Sequence, residues 1–155
     1  METLQQLTKF DKAYMEIAHT IGGLSHDPTH KVGCVIVKDR LIISTGYNGC
    51  PSGTPPNTRD SNGKTYDSVI HAEMNAILHA HQSIKGATAY TTLSPCMKCA
   101  IHLYQAGIET IYYSDTHDNK PDNAKARVWL NLHGVNIKEL KYADTNRLSK
   151  REDKN

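Results

Sequence analysis

Two short stretches decide how this chain folds: residues 70–77, IHAEMNAI, and residues 94–100, SPCMKCA. The first contains a histidine followed two positions later by a glutamate, and the second contains two cysteines separated by two residues. Imidazole nitrogen and thiolate sulfur are ligands that zinc prefers in proteins, and a catalytic zinc ion with three protein ligands keeps its fourth position for water. The two stretches therefore predict a zinc site with three protein ligands: His71, Cys96 and Cys99.

Glu73 lies two positions after the predicted histidine ligand and is not needed to complete the metal site. A carboxylate beside the open position can act instead as a general acid and base. Helix-forming residues follow both stretches, and Pro95 suits the first turn of the second helix. The positive ends of the helix dipoles and a bound cation stabilise thiolates, and zinc lowers the pKa of bound water. We therefore expect a catalytic site; a structural zinc site, which normally has four protein ligands, is the alternative.

The length and composition favour a single soluble domain. The chain has 155 residues and a formal net charge of +2, so charge alone gives no reason to expect a nucleic-acid partner. Neither an apolar run long enough to cross a membrane nor a cleavable signal peptide is present, which favours a cytoplasmic location and no membrane partner. We expect residues 1–145 to form the domain and residues 146–155 to form a polar, charged, flexible tail.

The apolar periodicity predicts an α/β fold. Residues 4–21 repeat apolar side chains at helical spacing, residues 32–37 and 41–45 indicate a β-hairpin, and residues 46–67 form a predicted long loop. Strands and helices then alternate, with strands at 87–92, 109–113 and 135–140 and a helix at 123–132. Because such alternation requires crossovers and parallel pairing, we expect a central mixed sheet with helices on both faces.

The motifs also resemble those of a known family. The pattern H-x-E followed by P-C-x-x-C is the signature of zinc-dependent nucleobase deaminases. Residues 25–33 (SHDPTHKVG), 46–53 (GYNGCPSG) and 71–77 (HAEMNAI) are similar to three segments of the deoxycytidylate (dCMP) deaminases within the cytidine deaminase superfamily, and the resemblance extends over about residues 10–140. It implies a three-layer α/β/α cytidine deaminase-like fold around a mixed five-stranded sheet.

The resemblance implies an activity and roles for several residues. The expected reaction is the zinc-dependent hydrolysis of dCMP to dUMP and ammonia, which feeds the supply of thymidylate precursors. Water at the open zinc position would attack C4 of cytosine while Glu73 carries protons to N3 and to the leaving amine. The resemblance also implies substrate contacts from the backbone and side chains of four residues: Asn48, Ala72, Ser94 and Pro95.

The phosphate contacts are less well specified by the sequence. A monophosphate needs cationic or hydroxyl donors near the mouth of the pocket. The candidates are Lys31 and the loop at residues 114–120, where His117 stands at the place of a tyrosine in related enzymes. A solvated surface loop is the alternative at these positions.

Regulation and assembly follow from the resemblance alone. Many family members are homohexamers that bind a deoxynucleoside triphosphate with Mg²⁺ between subunits, dCTP activating and dTTP inhibiting. The residues expected to face such an effector are Tyr47, Asn48, Gly49 and Asn75. The glycines of this segment could equally serve only to make turns.

Three alternatives remain open at this point. The chain could be a deaminase of tRNA or single-stranded DNA, which needs a basic channel and stacking aromatic side chains, or a zinc-stabilised module without catalysis, which has no need of Glu73. Cys50 could be an ordinary loop residue or a ligand to a second zinc ion, although no matching cysteine stands out in the long loop.

Overall fold

The computed structural model describes residues 8–116 and 120–142. Within these residues, helices and strands follow one another in this order: α1 (Lys9–Gly22), β1 (Gly33–Lys38), β2 (Leu41–Tyr47), α2 (Ala72–His79), β3 (Thr88–Leu93), α3 (Met97–Gln105), β4 (Thr110–Asp115), α4 (Pro121–Leu132) and β5 (Asn136–Glu139). None of these helices has the length and apolar content needed to cross a bilayer. The expected tail at residues 146–155 lies outside the described residues.

The five strands form one mixed sheet in the order β2-β1-β3-β4-β5. Strand β1 pairs antiparallel with both β2 and β3, whereas β3, β4 and β5 run parallel. Helix α1 packs on one face, and α2, α3 and α4 cover the other. The predicted three-layer α/β/α architecture with an opening hairpin and a parallel second half is confirmed.

Strand β1 is the centre of the core because it is buried on both faces. Cys34 and Ile36 join the apolar cluster under α2, α3 and α4, whereas Val35 and Val37 join the cluster under α1. This division follows from the alternation of side chains along a strand. The near-continuous apolar sequence of β1 is therefore the pattern expected for a strand in a sheet that helices cover on both faces.

The turn between β1 and β2 has the geometry of a type I′ hairpin. Asp39 and Arg40 both have positive φ, at 51° and 63°. Turns of this type match the right-handed twist of the two strands that they connect. The predicted hairpin is thus confirmed, with a β-bulge between Ile36 and Val37.

The structure differs from the sequence prediction at the start of α1 and the end of β2. Thr8 caps α1: its hydroxyl accepts from the backbone N–H of Asp11, whose carboxylate accepts in return from the Thr8 N–H. Strand β2 continues through Gly46 to Tyr47, where the long loop was expected to begin. Gly46 is required there because a Cβ would lie 2.4 Å from α2 backbone atoms.

Candidate active site and metal centre

The three predicted metal ligands meet where α2 and α3 begin. His71 is the N-cap of α2, Cys96 is the N-cap of α3, and Cys99 lies in the first turns of α3. The Nδ1 atom of His71 lies 3.5 Å from the sulfur of Cys96 and 3.4 Å from the sulfur of Cys99. Among the described residues, this is the one group of three or more His, Cys, Asp or Glu side chains whose ligand atoms lie within 4.8 Å of one another.

The chemistry of this donor set fits a soft divalent cation. The hydrogen bond from the Cys99 thiol lowers the pKa of Cys96, and the same bond raises the pKa of Cys99. A cation that binds both sulfurs stabilises both as thiolates and displaces their protons. All four cysteines are free of disulfides. Two thiolates and one imidazole are the ligands of a zinc site that keeps one position open.

Glu73 lies in the second position of α2 and points into the same region. Its side chain is buried, and Oε1 accepts a hydrogen bond of 2.9 Å from the Thr91 hydroxyl. Burial raises the pKa of Glu73, although the Thr91 hydroxyl and the Glu73 backbone N–H oppose that effect in part. A carboxylate whose pKa is raised toward neutrality is suited to accept and return a proton.

A cavity of about 270 Å³ opens between the ligands and the loops around them. Six of the residues predicted from the sequence line it: Asn48, His71, Ala72, Glu73, Ser94 and Cys96. Ala72 is the first residue of α2, so its N–H has no acceptor within the helix. Pro95 is fully buried and does not line this cavity. Because α3 begins at Met97 with Cys96 as its cap, Pro95 precedes the helix instead of forming its first turn.

Asn48 lies directly after β2 and joins two segments at the edge of the cavity. Its Oδ1 accepts from the Val32 N–H at 2.9 Å, and its Nδ2 donates to the His30 carbonyl at 2.8 Å. An amide nitrogen carries two N–H groups. Asn48 therefore fixes the segment before β1 and keeps one N–H for a ligand.

Three hydrogen bonds hold Ser94 between β3 and α3. Its N–H donates to the Asp115 carbonyl at 2.8 Å, its carbonyl accepts from Asn123 Nδ2 at 2.6 Å, and its hydroxyl accepts from Arg127 Nη1 at 2.8 Å. Helix α4 thus sets the position of the backbone that leads to Cys96. No local sequence pattern indicates these α4 contacts, since the partners lie 29 and 33 residues apart.

A buried carboxylate fastens the long loop to the segment before β1. Asp27 is 1% exposed and accepts from the backbone N–H groups of Thr29 at 2.9 Å and His30 at 2.7 Å. It also accepts from the Thr58 hydroxyl at 2.9 Å and from Arg59 Nε at 3.1 Å. Burial by itself raises the pKa of Asp27, but these hydrogen bonds outweigh it and hold the pKa at about 2. We refer to this pair and its partners as the Asp27–Arg59 clasp.

Three basic residues line the cavity: His30, Arg59 and Lys120. Lys120 belongs to the predicted span 114–120, whereas His30 and Arg59 were not selected from the sequence as phosphate contacts. The Lys31 ammonium instead donates to the Ser25 carbonyl, and Lys31 lines a neighbouring cavity. His117 lies outside the described residues. The phosphate contacts from Lys31 and His117 stay predictions.

The residues expected to face an effector do not all lie together. Tyr47, Gly49 and Asn75 line a separate groove of about 280 Å³, whereas Asn48 lines the catalytic cavity. Asn75 Nδ2 donates to the Tyr47 carbonyl at 2.8 Å and so ties α2 to the end of β2. The Cys50 thiol donates to the Asn57 carbonyl at 3.3 Å and belongs to no metal-binding group among the described residues.

Comparisons with known proteins agree with this geometry. The sequence pattern of the cytidine and deoxycytidylate deaminase zinc-binding region matches residues 8–115. Deoxycytidylate deaminase of Homo sapiens is 35% identical over 137 residues, which cover 82% of this chain and 77% of the human protein. Deoxycytidylate deaminase of Enterobacteria phage T4 is 33% identical over 183 residues, which cover 85% of this chain and 94% of the phage protein.

A solved structure gives the same result for the fold. The dCMP deaminase from the cyanophage S-TIM5, crystallised in complex with dCMP and dUMP, matches with a TM-score of 0.80 and 30% sequence identity. The match covers 88% of this chain and 100% of the cyanophage chain. The resemblance inferred from three sequence segments is thus confirmed over most of the domain, and the chain belongs to the cytidine and deoxycytidylate deaminase family.

Proposed function

We propose that this protein hydrolyses dCMP to dUMP and ammonia with the help of one zinc ion. The observation that carries the proposal is the buried carboxylate of Glu73, which shares one cavity with His71 and Cys96, two members of the convergent group of three metal ligands. A structural zinc site has no use for such a carboxylate. The names of the human and T4 relatives and the dCMP and dUMP bound by the cyanophage protein support the choice of substrate.

In this mechanism the metal binds to His71, Cys96 and Cys99. A zinc ion held there supplies a Lewis acid and lowers the pKa of a water molecule at its open position. Glu73 accepts a proton from the attacking water and delivers it to N3 of the base as oxygen bonds to C4. Glu73 then takes the proton of the new C4 hydroxyl and transfers it to the exocyclic amine. The C4–N bond breaks as the C4 carbonyl forms, and ammonia leaves while N3 keeps its proton. Water and dCMP are consumed, and dUMP and ammonia are formed.

The walls of the cavity orient the substrate in this proposal. The Ala72 N–H donates to the carbonyl of the base, and the Ser94 carbonyl accepts from its amine. The remaining N–H of Asn48 contacts the sugar. The cations that line the same cavity, Arg59 and Lys120, are suited to the 5′-phosphate because charge-assisted hydrogen bonds to phosphate are strong.

We further propose control by nucleoside triphosphates in a homo-oligomer, with a hexamer favoured. The groove lined by Tyr47, Gly49 and Asn75 is the place for dCTP or dTTP with Mg²⁺. Its bond from Asn75 to the Tyr47 carbonyl connects the groove to α2, which carries Glu73. An effector that moves this contact can therefore change the catalytic helix.

The experiment that tests the function measures ammonia release from a panel of substrates. The purified protein is incubated with dCMP, deoxycytidine, dCTP and tRNA at equal concentration, and Glu73→Gln serves as the matched control. We expect ammonia from dCMP above all, and a loss of turnover by a factor of about 10² or more in the variant. Release from tRNA but not dCMP would instead identify a nucleic-acid deaminase, and release from none would indicate a module without catalysis.

A further inference from the structure

Asn123 is a buried polar residue to which the proposed mechanism gives no role. It lies in the first turn of α4, is 4% exposed and lines the catalytic cavity. Its Nδ2 donates to the Ser94 carbonyl at 2.6 Å. Because a carbonyl oxygen can only accept, this bond settles which end of the amide is nitrogen and which is oxygen.

The amide oxygen of Asn123 is therefore the end of the side chain that makes no hydrogen bond to Ser94. Among the described residues, no group donates a hydrogen bond to Oδ1. The described part of the chain also contains no completely buried side-chain oxygen or nitrogen that lacks a partner. The oxygen is therefore not completely buried, and it belongs to a side chain that lines the cavity. The cavity wall thus presents an acceptor held rigidly beside the Ser94 carbonyl.

We propose that Asn123 Oδ1 accepts an N–H from the exocyclic amine of the substrate and so helps to select an unsubstituted amino group. This inference rests on the proposed function, since it uses the Ser94 carbonyl as the first acceptor for the same amine. The amine gains a proton before the C4–N bond breaks, so it then offers three N–H groups in place of two. A second acceptor becomes more favourable as this positive charge develops, and the contact therefore stabilises the transition state more than the bound substrate.

The Asn123 bond to Ser94 has two consequences that can be separated. It positions the Ser94 backbone, as Arg127 does through the Ser94 hydroxyl, and it fixes the orientation of Asn123 Oδ1. A purely positioning residue affects every substrate alike. An acceptor for the amine affects a substrate with two N–H groups more than one that carries a methyl group in place of a hydrogen. The ratio of rates for two such substrates distinguishes the roles.

The test measures dUMP formation from dCMP and from N4-methyl-dCMP, which gives the same product with methylamine as the leaving group. The proteins are the zinc-loaded wild type, Asn123→Ala and Arg127→Met, which loosens Ser94 without removing the acceptor. We expect the preference for dCMP, as a ratio of kcat/KM values, to fall about 10-fold in Asn123→Ala, the effect of one buried hydrogen bond to a charged group. In Arg127→Met the ratio should stay within about 3-fold of wild type, whatever happens to the rates themselves.

The outcomes separate the inference from the proposed function. An equal fall in both rates for Asn123→Ala, with the ratio unchanged, would overturn the contact with the amine and leave Asn123 as a positioning residue. A wild type that forms no dUMP from either compound would overturn the proposed function and this inference together. Asn123→Ser carries the same test if the alanine variant does not fold, since serine keeps a polar side chain at this buried position but has no amide oxygen for the amine.

Discussion

Replacing Asp27 by asparagine tests how the long loop is held over the cavity. The carboxylate accepts hydrogen bonds from two backbone N–H groups, from Thr58 and from Arg59, and it is 1% exposed. Asparagine has the same shape as aspartate but carries no charge. Its NH₂ group would also face N–H or O–H groups that donate hydrogen bonds, so that contact would be lost. The change therefore removes the charge-assisted bonds of the Asp27–Arg59 clasp without creating a cavity.

The pKa of Asp27 gives the size of the effect. The hydrogen bonds lower this pKa from an ordinary value of 3.8 to about 2. Each tenfold change in an acid dissociation constant corresponds to about 1.4 kcal/mol, so the ionised carboxylate contributes about 2 kcal/mol to folding at neutral pH. Because the pKa is lower in the folded protein, this contribution is complete above about pH 5 and is lost as the pH falls toward 2.

Urea unfolding of the metal-free proteins measures this contribution, because protonation of the ligands would release zinc at low pH. We expect Asp27→Asn to unfold with a free energy about 2 kcal/mol lower than wild type at pH 7, and the difference to shrink as the pH falls from 5 to 2.5. The matched control is Asp67→Asn, an exposed carboxylate in the same loop, which should change the free energy by less than about 0.5 kcal/mol. A difference below that size for Asp27→Asn at pH 7, or one that does not depend on pH, would show that the ionised Asp27 carboxylate does not stabilise the folded protein.

Three further changes probe the frame of the site. Gly46→Ala places a Cβ 2.4 Å from the α2 backbone, so we expect a loss above about 2 kcal/mol in thermal unfolding and a fall in turnover, because α2 must shift. Gly53→Ala is its control: φ there is +84° with open space around it, so it should cost only about 1 kcal/mol and little activity. Asp122 accepts from the Met97 N–H at 2.9 Å and so caps α3. We expect Asp122→Ala to lower the free energy of unfolding by about 1 kcal/mol and to weaken zinc retention against a chelator. Unchanged zinc retention would show that this cap does not support the metal site. Added dTTP with Mg²⁺ should suppress dCMP turnover, and no response at about 1 mM would remove the proposed effector site while leaving catalysis unaffected.

The sequence was sufficient for the metal site because its signal is local. His71 and Glu73 share the start of one helix, and Cys96 and Cys99 share the start of another. The position of those helices at the carboxyl ends of strands follows from the alternation of strands and helices in the second half of the chain. The architecture and the convergence of His71, Glu73, Cys96 and Cys99 could therefore be predicted before any coordinates.

The rest of the site depends on pairs that the sequence does not relate. Asp27 meets Arg59 across 32 residues, and Asn123 meets Ser94 across 29. Asn and Asp in loops and helix caps usually form hydrogen bonds with nearby backbone groups. The sequence around Asp27 or Asn123 therefore does not indicate such a distant partner. Gly46 was expected to begin the long loop, where its glycine could serve an effector site or a turn, but its role is close packing between a strand and a helix.

The central claim is that one zinc ion on three protein ligands makes hydrolysis of dCMP possible. The most direct measurement determines zinc content and dCMP turnover on the same sample before chelation, after chelation and after zinc is restored. We expect about one zinc ion per chain, loss of turnover when the metal is removed, and recovery of turnover when zinc is restored. Full turnover of dCMP in a sample with less than about a tenth of a zinc ion per chain would contradict it.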